Sequence, residues 1–92
     1  MAPDHGMLFT FPELGHWTFW MKNTKMSLDI IWLDGTGKVV HIEPKVPICT
    51  RTDEGCPRYH SSKKAMYVLE LKAEMAERFK IHPGTPLSIV LP

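Results

Sequence analysis

The two cysteines are the residues of this sequence that could take part in the most kinds of chemistry. Cys49 and Cys56 enclose the six residues Thr50-Arg51-Thr52-Asp53-Glu54-Gly55. A disulfide between them would restrict the unfolded loop, which is worth about 2.5 kcal/mol, and would imply an oxidising compartment. Three other interpretations stay open: a metal site completed by His41 and His60, a reactive thiol with His60 as its base, or two free thiols. We favour the disulfide, because the spacing matches none of the usual zinc patterns.

A carboxylate inside an apolar run is the second candidate for chemistry. Asp29 belongs to Leu28-Asp29-Ile30-Ile31-Trp32-Leu33, where an unpaired buried charge would be costly. If residues 16–22 and 28–33 pair as a hairpin, Lys22 lies opposite Asp29. Asp29 is then either a structural clamp that bonds Lys22 or turn amides, or a binding or acid/base carboxylate beside Trp20. We favour the clamp, because structural ion pairs outnumber functional ones.

Aromatic, acidic and imidazole side chains suggest weaker sites. Tryptophans can stack on a sugar ring, but at strand spacing at least two of Trp17, Trp20 and Trp32 are expected in the core. Glu70 has no acidic partner nearby in sequence, and the histidines lack metal-site spacing. We therefore predict no metal, no cofactor and no assigned catalytic residue. For ligand binding we single out Trp20, Lys22, Asn23, Asp29, Arg58 and Tyr59.

The elements that must position these side chains are mostly strands. Short apolar runs between turn residues indicate an all-β domain with one short helix. Strands are predicted at 7–11, 16–22, 28–33, 38–43, 65–71 and 86–91. Pro12 should end the first strand, because proline cannot donate to a ladder. The turn Asp34-Gly35-Thr36-Gly37 should join the third and fourth strands.

Two segments differ from this strand pattern. The apolar stripe of Leu71, Met75 and Phe79 predicts a helix at about 72–80 that must lie on the sheet. Residues 44–64 form an unusually long loop with three prolines and both cysteines. Loops of this length are often functional.

Size and charge exclude several classes of protein. A chain of 92 residues fits one domain, 1–92, and the net charge of +1 gives no general basic surface for nucleic acid. The most basic stretch, 45–64, is expected to be a solvated loop. No apolar run is long enough to span a bilayer, and Met1-Ala2-Pro3-Asp4-His5-Gly6 is not a signal peptide. We expect a soluble chain that binds no nucleic acid.

Several short motifs follow one another in a recognisable order. They are Gly6-Met7-Leu8-Phe9, Phe19-Trp20-Met21-Lys22-Asn23-Thr24, Leu28-Asp29-Ile30, Val46-Pro47-Ile48-Cys49, Cys56-Pro57-Arg58-Tyr59, Tyr67-Val68-Leu69-Glu70 and Pro83-Gly84. This order resembles the family called domain of unknown function 192, from bacteria and archaea. The resemblance implies a compact β-barrel or jelly-roll-like sandwich with a short helix. It also implies a periplasmic or extracellular setting, and it brings no established activity, cofactor or catalytic residue.

The sequence departs from the family pattern at its start and around its helix. It begins at the Gly-Met-Leu-Phe strand and lacks the upstream strands, so an exposed sheet edge could pair two copies of the chain. Glu74 and Lys80 stand where the family often has glycine. We expect a more regular helix from these two changes.

The function that we predict from these features is binding rather than catalysis. The chain is expected to be a non-enzymatic extracytoplasmic module for a small molecule, a glycan among the candidates, or for a partner protein. One alternative is an enzyme that uses Asp29 as acid or base. The other is a structural or assembly domain that forms a homo-oligomer through a free sheet edge.

Overall fold

A computed structural model describes residues 6–21, 26–49 and 55–87. The elements are β1 (Gly6–Gly15), β2 (Thr18–Trp20), β3 (Leu28–Leu33), β4 (Val39–Val46), β5 (Arg58–His60), β6 (Ala65–Lys72) and α1 (Met75–Arg78). The predicted all-β class with one short helix is confirmed. No helix in this part of the chain is long and apolar enough to cross a bilayer.

The strands form two antiparallel sheets. The main sheet has the order β1-β6-β3-β4, and the small sheet consists of β2 and β5. Both sheets are open, so the described strands do not close into the barrel that the family resemblance implied. All six residues of β3 are buried, because β3 is bonded on both edges and covered on both faces.

Alternate residues of β3 supply two separate cores. Ile30 and Trp32 point toward the small sheet, where Phe19 and Tyr59 pack against them. Ile31 and its neighbours form the second core, which α1 and the segment that follows it cover. The main sheet therefore has the small sheet on one face and the helix on the other.

The first strand is longer than predicted. β1 continues through Pro12 to Gly15, and its register with β6 shifts between Thr10 and Gly15. Among the described strands β1 pairs only with β6, so it lies at an edge of the main sheet. An edge strand tolerates a proline because its outer side donates no ladder bond. The prediction that Pro12 ends the strand was wrong for this reason.

The predicted hairpin between residues 16–22 and 28–33 does not form. β2 pairs instead with β5, with Trp20 opposite Arg58, and β3 pairs with β4 and β6. β5 is a short strand inside the segment that was predicted to be a loop. Three residues are too few for a periodic pattern to be recognised.

The helix is shorter than predicted, and it is not more regular. α1 spans Met75–Arg78 alone, while Glu74 and Lys80 have φ angles of 79° and 58°. Both non-glycine residues thus keep the left-handed conformation that glycine adopts without strain. Phe79 is 55% exposed rather than part of the apolar stripe, and Ala76 is the buried residue of α1.

The start of β4 is fixed by a turn and by the C-terminal segment. Gly37 N–H donates to the Asp34 carbonyl at 3.0 Å, which confirms the predicted turn. Pro86 forms a single bridge to Lys38. The strand predicted at 86–91 falls largely on residues 88–92, which lie outside the described residues.

Candidate ligand-binding groove

Asp29 is a buried carboxylate that is bonded to main-chain amides. It is 1% exposed, and its Oδ1 accepts hydrogen bonds from the N–H groups of Lys45 at 2.8 Å and Glu74 at 3.2 Å. Its Oδ2 accepts from the N–H of Ala76 at 2.8 Å. These three bonds satisfy the buried charge. The amides belong to β4 and to the start of α1. Asp29 is therefore the structural clamp that we favoured, but these amides are not the partners that the sequence predicted.

This carboxylate attaches the helix to the sheet. α1 has no side-chain cap of its own, and Asp29 accepts from two of the N–H groups at its start. The third bond holds Lys45, whose φ of 51° turns the end of β4 toward the helix. Asp29 therefore fixes the distance between β4 and α1.

A second attachment holds the segment after α1 against β4. Val39 donates to the carbonyl of Thr85 at 2.9 Å and accepts from Gly84 N–H at 2.8 Å. Ile81 N–H donates to the carbonyl of Ala76 at 2.8 Å, which closes the turn after the helix. β4 is thus joined to the helical segment at two places.

A groove of about 630 Å³ lies between these two attachments. Its lining residues are Ile42, Pro44, Ala76, Glu77, Lys80, Ile81, His82 and Pro83. Aliphatic and proline side chains dominate the lining, with three charged or titratable groups among them. The volume and the composition are typical of sites that bind small molecules.

The structure separates two of the binding residues that the sequence suggested. Asp29 lies on the helix side of the main sheet, whereas Tyr59 packs against the core on the opposite face. Trp20 and Arg58 are opposite each other in the small sheet, and Arg58 is exposed. Lys22 and Asn23 lie outside the described residues. Among the described candidates, Asp29 and Tyr59 therefore do not belong to one site.

Trp32 is a core residue, and the half-buried Trp17 packs against the same core. Trp32 is fully buried, and its Nε1–H donates to the Trp17 carbonyl at 2.9 Å. Trp17 stacks on Phe11 with ring centroids 4.2 Å apart and donates its Nε1–H to the Ala65 carbonyl at 2.9 Å. Their polar atoms are used inside the fold.

The cysteines form the disulfide that we favoured. Cys49 and Cys56 are bonded, with their Cα atoms 5.9 Å apart, and Cys56 is buried. The oxidised sulfurs are thus not available as thiolates for a metal or a substrate. Within the described part of the chain, no group of three metal-ligating side chains occurs.

Two further carboxyl groups have shifted pKa values. The hydroxyl of Thr36 donates to Asp34 Oδ1 at 2.6 Å, and this bond is the main reason that the pKa of Asp34 is lowered. Burial raises the pKa of Glu70, which lies in register with Met7 on one side and Ile30 on the other. Neither group lines the groove.

Sequence reasoning missed the groove because its lining comes from separate segments. Ile42 was recognised only as part of a strand, and Ile81 only as a residue beyond a helix. No local pattern specifies that these two residues approach each other. The sequence feature that could have indicated the groove was the predicted helix. A helix this short is stable only when it packs on the sheet, and the groove lies where the helix and the sheet meet.

The fold and the groove together define a small antiparallel β domain with a lateral apolar groove. The chain belongs to the family DUF192, described as "Uncharacterized ACR, COG1430", which matches residues 1–89. This finding confirms the resemblance in the sequence. Among curated proteins none matches the chain.

Two solved structures are similar to the chain. One is a candidate transcription regulator from Sinorhizobium meliloti 1021, with a TM-score of 0.81 and 36% identity over 91% of this chain and 61% of that one. The other is a protein of unknown function from Novosphingobium aromaticivorans DSM 12444, with a TM-score of 0.79, 28% identity and coverage of 91% and 56%. The chain thus spans about three-fifths of the length of these two proteins.

Proposed function

We propose that this chain is a domain that binds a small, mostly apolar molecule in the groove between β4 and α1. The observation that carries the proposal is the groove itself, which combines an apolar lining with a volume of about 630 Å³. The two attachments of β4, through Asp29 and through Val39, support a groove that is formed before a ligand arrives. A preformed site binds more tightly because less ordering is needed.

The groove lining contains one ammonium group, Lys80, and one carboxylate, Glu77, and we propose that an acidic group of the ligand lies at Lys80. Lys80 contributes an ammonium group to the lining, and it does so from a left-handed conformation that costs about 1 kcal/mol for a residue other than glycine. Strain of this kind is often retained at binding sites. A glycan is a weaker candidate here, because the described lining residues include no Trp, Tyr or Phe ring for stacking.

We also propose an extracytoplasmic setting. The disulfide Cys49–Cys56 supports it, because disulfides persist in oxidising compartments. A count of free thiols in protein isolated from its native compartment would test this proposal. Two reactive thiols in that protein would contradict it.

Titration with decanoate, decanol and decylamine tests the groove. The protein should bind decanoate best, with a negative heat-capacity change from apolar burial. Ile81→Glu should weaken binding at least about tenfold by placing a charge in the groove. Lys80→Ala should weaken decanoate binding roughly two- to fivefold, as expected for an exposed charge pair, and leave decanol unchanged.

Ile48 provides a matched control for the groove. It is 44% exposed and does not line the groove, so Ile48→Glu adds the same charge elsewhere and should leave binding intact. Equal binding by wild type and Ile81→Glu would contradict the proposal. So would a preference for decylamine over decanoate.

Assembly through β1 is a second candidate function. β1 lies at the edge of the main sheet among the described strands, and Met7 and Leu14 on it are 50% and 48% exposed. A long apolar edge favours pairing with another strand, here that of a second copy. Light scattering over a wide concentration range should show a dimer that Leu14→Lys abolishes and Ile48→Lys does not. A monomer throughout that range would rule out this candidate.

A further inference from the structure

His41 lies between a hydroxyl group and a carboxylate, on the face of the main sheet opposite the groove. Its Nδ1 is 3.1 Å from Ser62 Oγ, and its Nε2 is 3.0 Å from Glu43 Oε1. A carboxylate can only accept, so Nε2 carries the proton of the neutral imidazole. The lone pair on Nδ1 then faces Ser62, whose hydroxyl donates to it.

We propose that Ser62, His41 and Glu43 form a nucleophilic site that cleaves carboxylic esters. Ser62 Oγ is the nucleophile, His41 is its general base, and Glu43 holds the imidazole in the required tautomer. Nucleophile, base and orienting carboxylate within hydrogen-bond distance are three of the geometric requirements for this chemistry. The site is separate from the groove, so this activity goes beyond the proposed binding function.

The loop that carries Ser62 is held in place on both sides. The fully buried Ser61 accepts from Lys63 N–H at 3.1 Å and donates to the Lys63 carbonyl. His16 Nδ1–H donates to the Ser61 carbonyl at 2.9 Å, and Trp17 Nε1–H donates to the Ala65 carbonyl at 2.9 Å. Ser62 itself is exposed. Its neighbours are therefore structural, and its hydroxyl is presented to solvent in a fixed position.

The imidazole is also fixed from behind. His41 packs edge-on against the ring of Trp32, with centroids 5.2 Å apart, and Trp32 is fully buried. The side chains of His41 and Glu43 are 23% and 36% exposed, so a substrate can reach the imidazole. A base that is already oriented needs less reorganisation during reaction.

A cavity of about 480 Å³ is lined by two residues that adjoin the triad in sequence. Val40, which precedes His41, and Lys63, which follows Ser62, both line it. Lys38 lines the cavity as well. Among the described lining residues Asp34 is the one acid, and its Oδ1 already accepts hydrogen bonds within the turn. Two ammonium groups against one carboxylate favour a substrate whose acyl group is anionic.

Each step of the reaction balances with the ester and water as the reactants. The Oγ–C bond forms as the hydroxyl proton passes to His41 Nδ1, and Glu43 stabilises the resulting imidazolium. The ester C–O bond then breaks, and the leaving alkoxide takes the proton from Nδ1. Water, deprotonated by His41, hydrolyses the acyl-Ser62 ester and restores the hydroxyl group. General acid–base assistance of this kind contributes about 10²–10⁴-fold to the rate.

Covalent labelling with a fluorophosphonate tests the nucleophile directly. Peptide mapping should place the label on Ser62 in the wild type and show none in Ser62→Ala, which retains the fold because the side chain is exposed. His41→Gln should slow labelling at least about a hundredfold, and Glu43→Gln about tenfold. His60 is an exposed histidine outside the triad, so His60→Gln should label at the wild-type rate.

Ester hydrolysis tests the substrate class. The wild type should cleave 4-nitrophenyl succinate about tenfold faster than 4-nitrophenyl butyrate, and Lys63→Gln should lose this preference. Labelling of another residue, or hydrolysis by Ser62→Ala at the wild-type rate, would overturn the proposed nucleophile. A preference for the neutral ester would overturn the assignment of the cavity.

Discussion

Asp29 Oδ2 accepts a hydrogen bond from the main-chain N–H of Ala76 at 2.8 Å, across 47 residues of sequence. Together with the bonds from Lys45 and Glu74, it makes one carboxylate the junction of two strands and a helix. The residue that was suggested as an acid or base is therefore a structural centre. It shapes the groove without reaching it.

Replacing Asp29 with Asn should destabilise the protein by about 2–4 kcal/mol. The amide has one acceptor where the carboxylate has two, and its NH₂ group would face an N–H that needs an acceptor. Urea unfolding measures the loss, with Glu13→Gln at an exposed position of β1 as a matched control. Equal stability of the wild type and D29N would show that these bonds contribute little.

Glycine at position 80 should stabilise the fold by about 0.5–1 kcal/mol. Lys80 has a φ of 58°, a conformation that glycine adopts without the steric cost of a Cβ atom. Lys80→Ala removes the same charge and keeps the strain, so it separates the two effects. Thermal unfolding of the three proteins should therefore place the midpoint of K80G above both others.

The turn at Asp34 should lose stability in acid. Because the pKa of Asp34 is lowered, mainly by the Thr36 hydroxyl, its charged form is favoured in the folded state. That contribution is present above the unfolded-state pKa and disappears as the pH falls through the folded-state value. Thr36→Val should thus be less stable than the wild type at pH 7, and the difference should shrink in acid. A difference that is constant with pH would contradict this linkage.

Glu70 should have the opposite pH dependence. Burial raises its pKa, so the charged form is disfavoured in the folded state. The neutral form of Glu70 therefore contributes to the free energy of unfolding. This contribution is complete below the unfolded-state pKa and is lost as the pH rises through the folded-state pKa. Glu70→Gln should therefore unfold at a higher temperature than the wild type at pH 7. This advantage should vanish below the unfolded-state pKa.

Reduction of Cys49–Cys56 should cost about 2.5 kcal/mol in the chain-entropy treatment of a loop of this length. The double variant Cys49→Ser, Cys56→Ser gives the same comparison without a reductant. Equilibrium unfolding in urea measures the loss for both proteins. An unchanged midpoint would mean that the loop is already restricted in the unfolded chain.

The sequence predicted those features that depend on local pattern. The six residues of β3 and the turn at Asp34 follow from a continuous apolar run and from an Asp-Gly pair. The disulfide was favoured from spacing and composition. These predictions needed no knowledge of which elements pack together.

Features that depend on distant partners were not predictable in this way. β2 pairs with β5 rather than with β3. The alternation of apolar residues in a strand indicates which face is buried, but it does not identify the strand with which it pairs. The bond between Asp29 and Ala76 and the contact of His41 with Ser62 join positions 47 and 21 residues apart. Secondary-structure propensity gives no information about such contacts, because they depend on tertiary packing.

β4 lies between the two proposed sites. Ile42 and Pro44 line the groove, and the intervening His41 and Glu43 point to the opposite face. A ligand that shifts β4 from one side would also move the backbone that carries His41. Any such coupling is reciprocal. A molecule bound beside Ser62 would change the affinity of the groove for its ligand by the same factor by which the groove ligand changes the affinity for the molecule at Ser62.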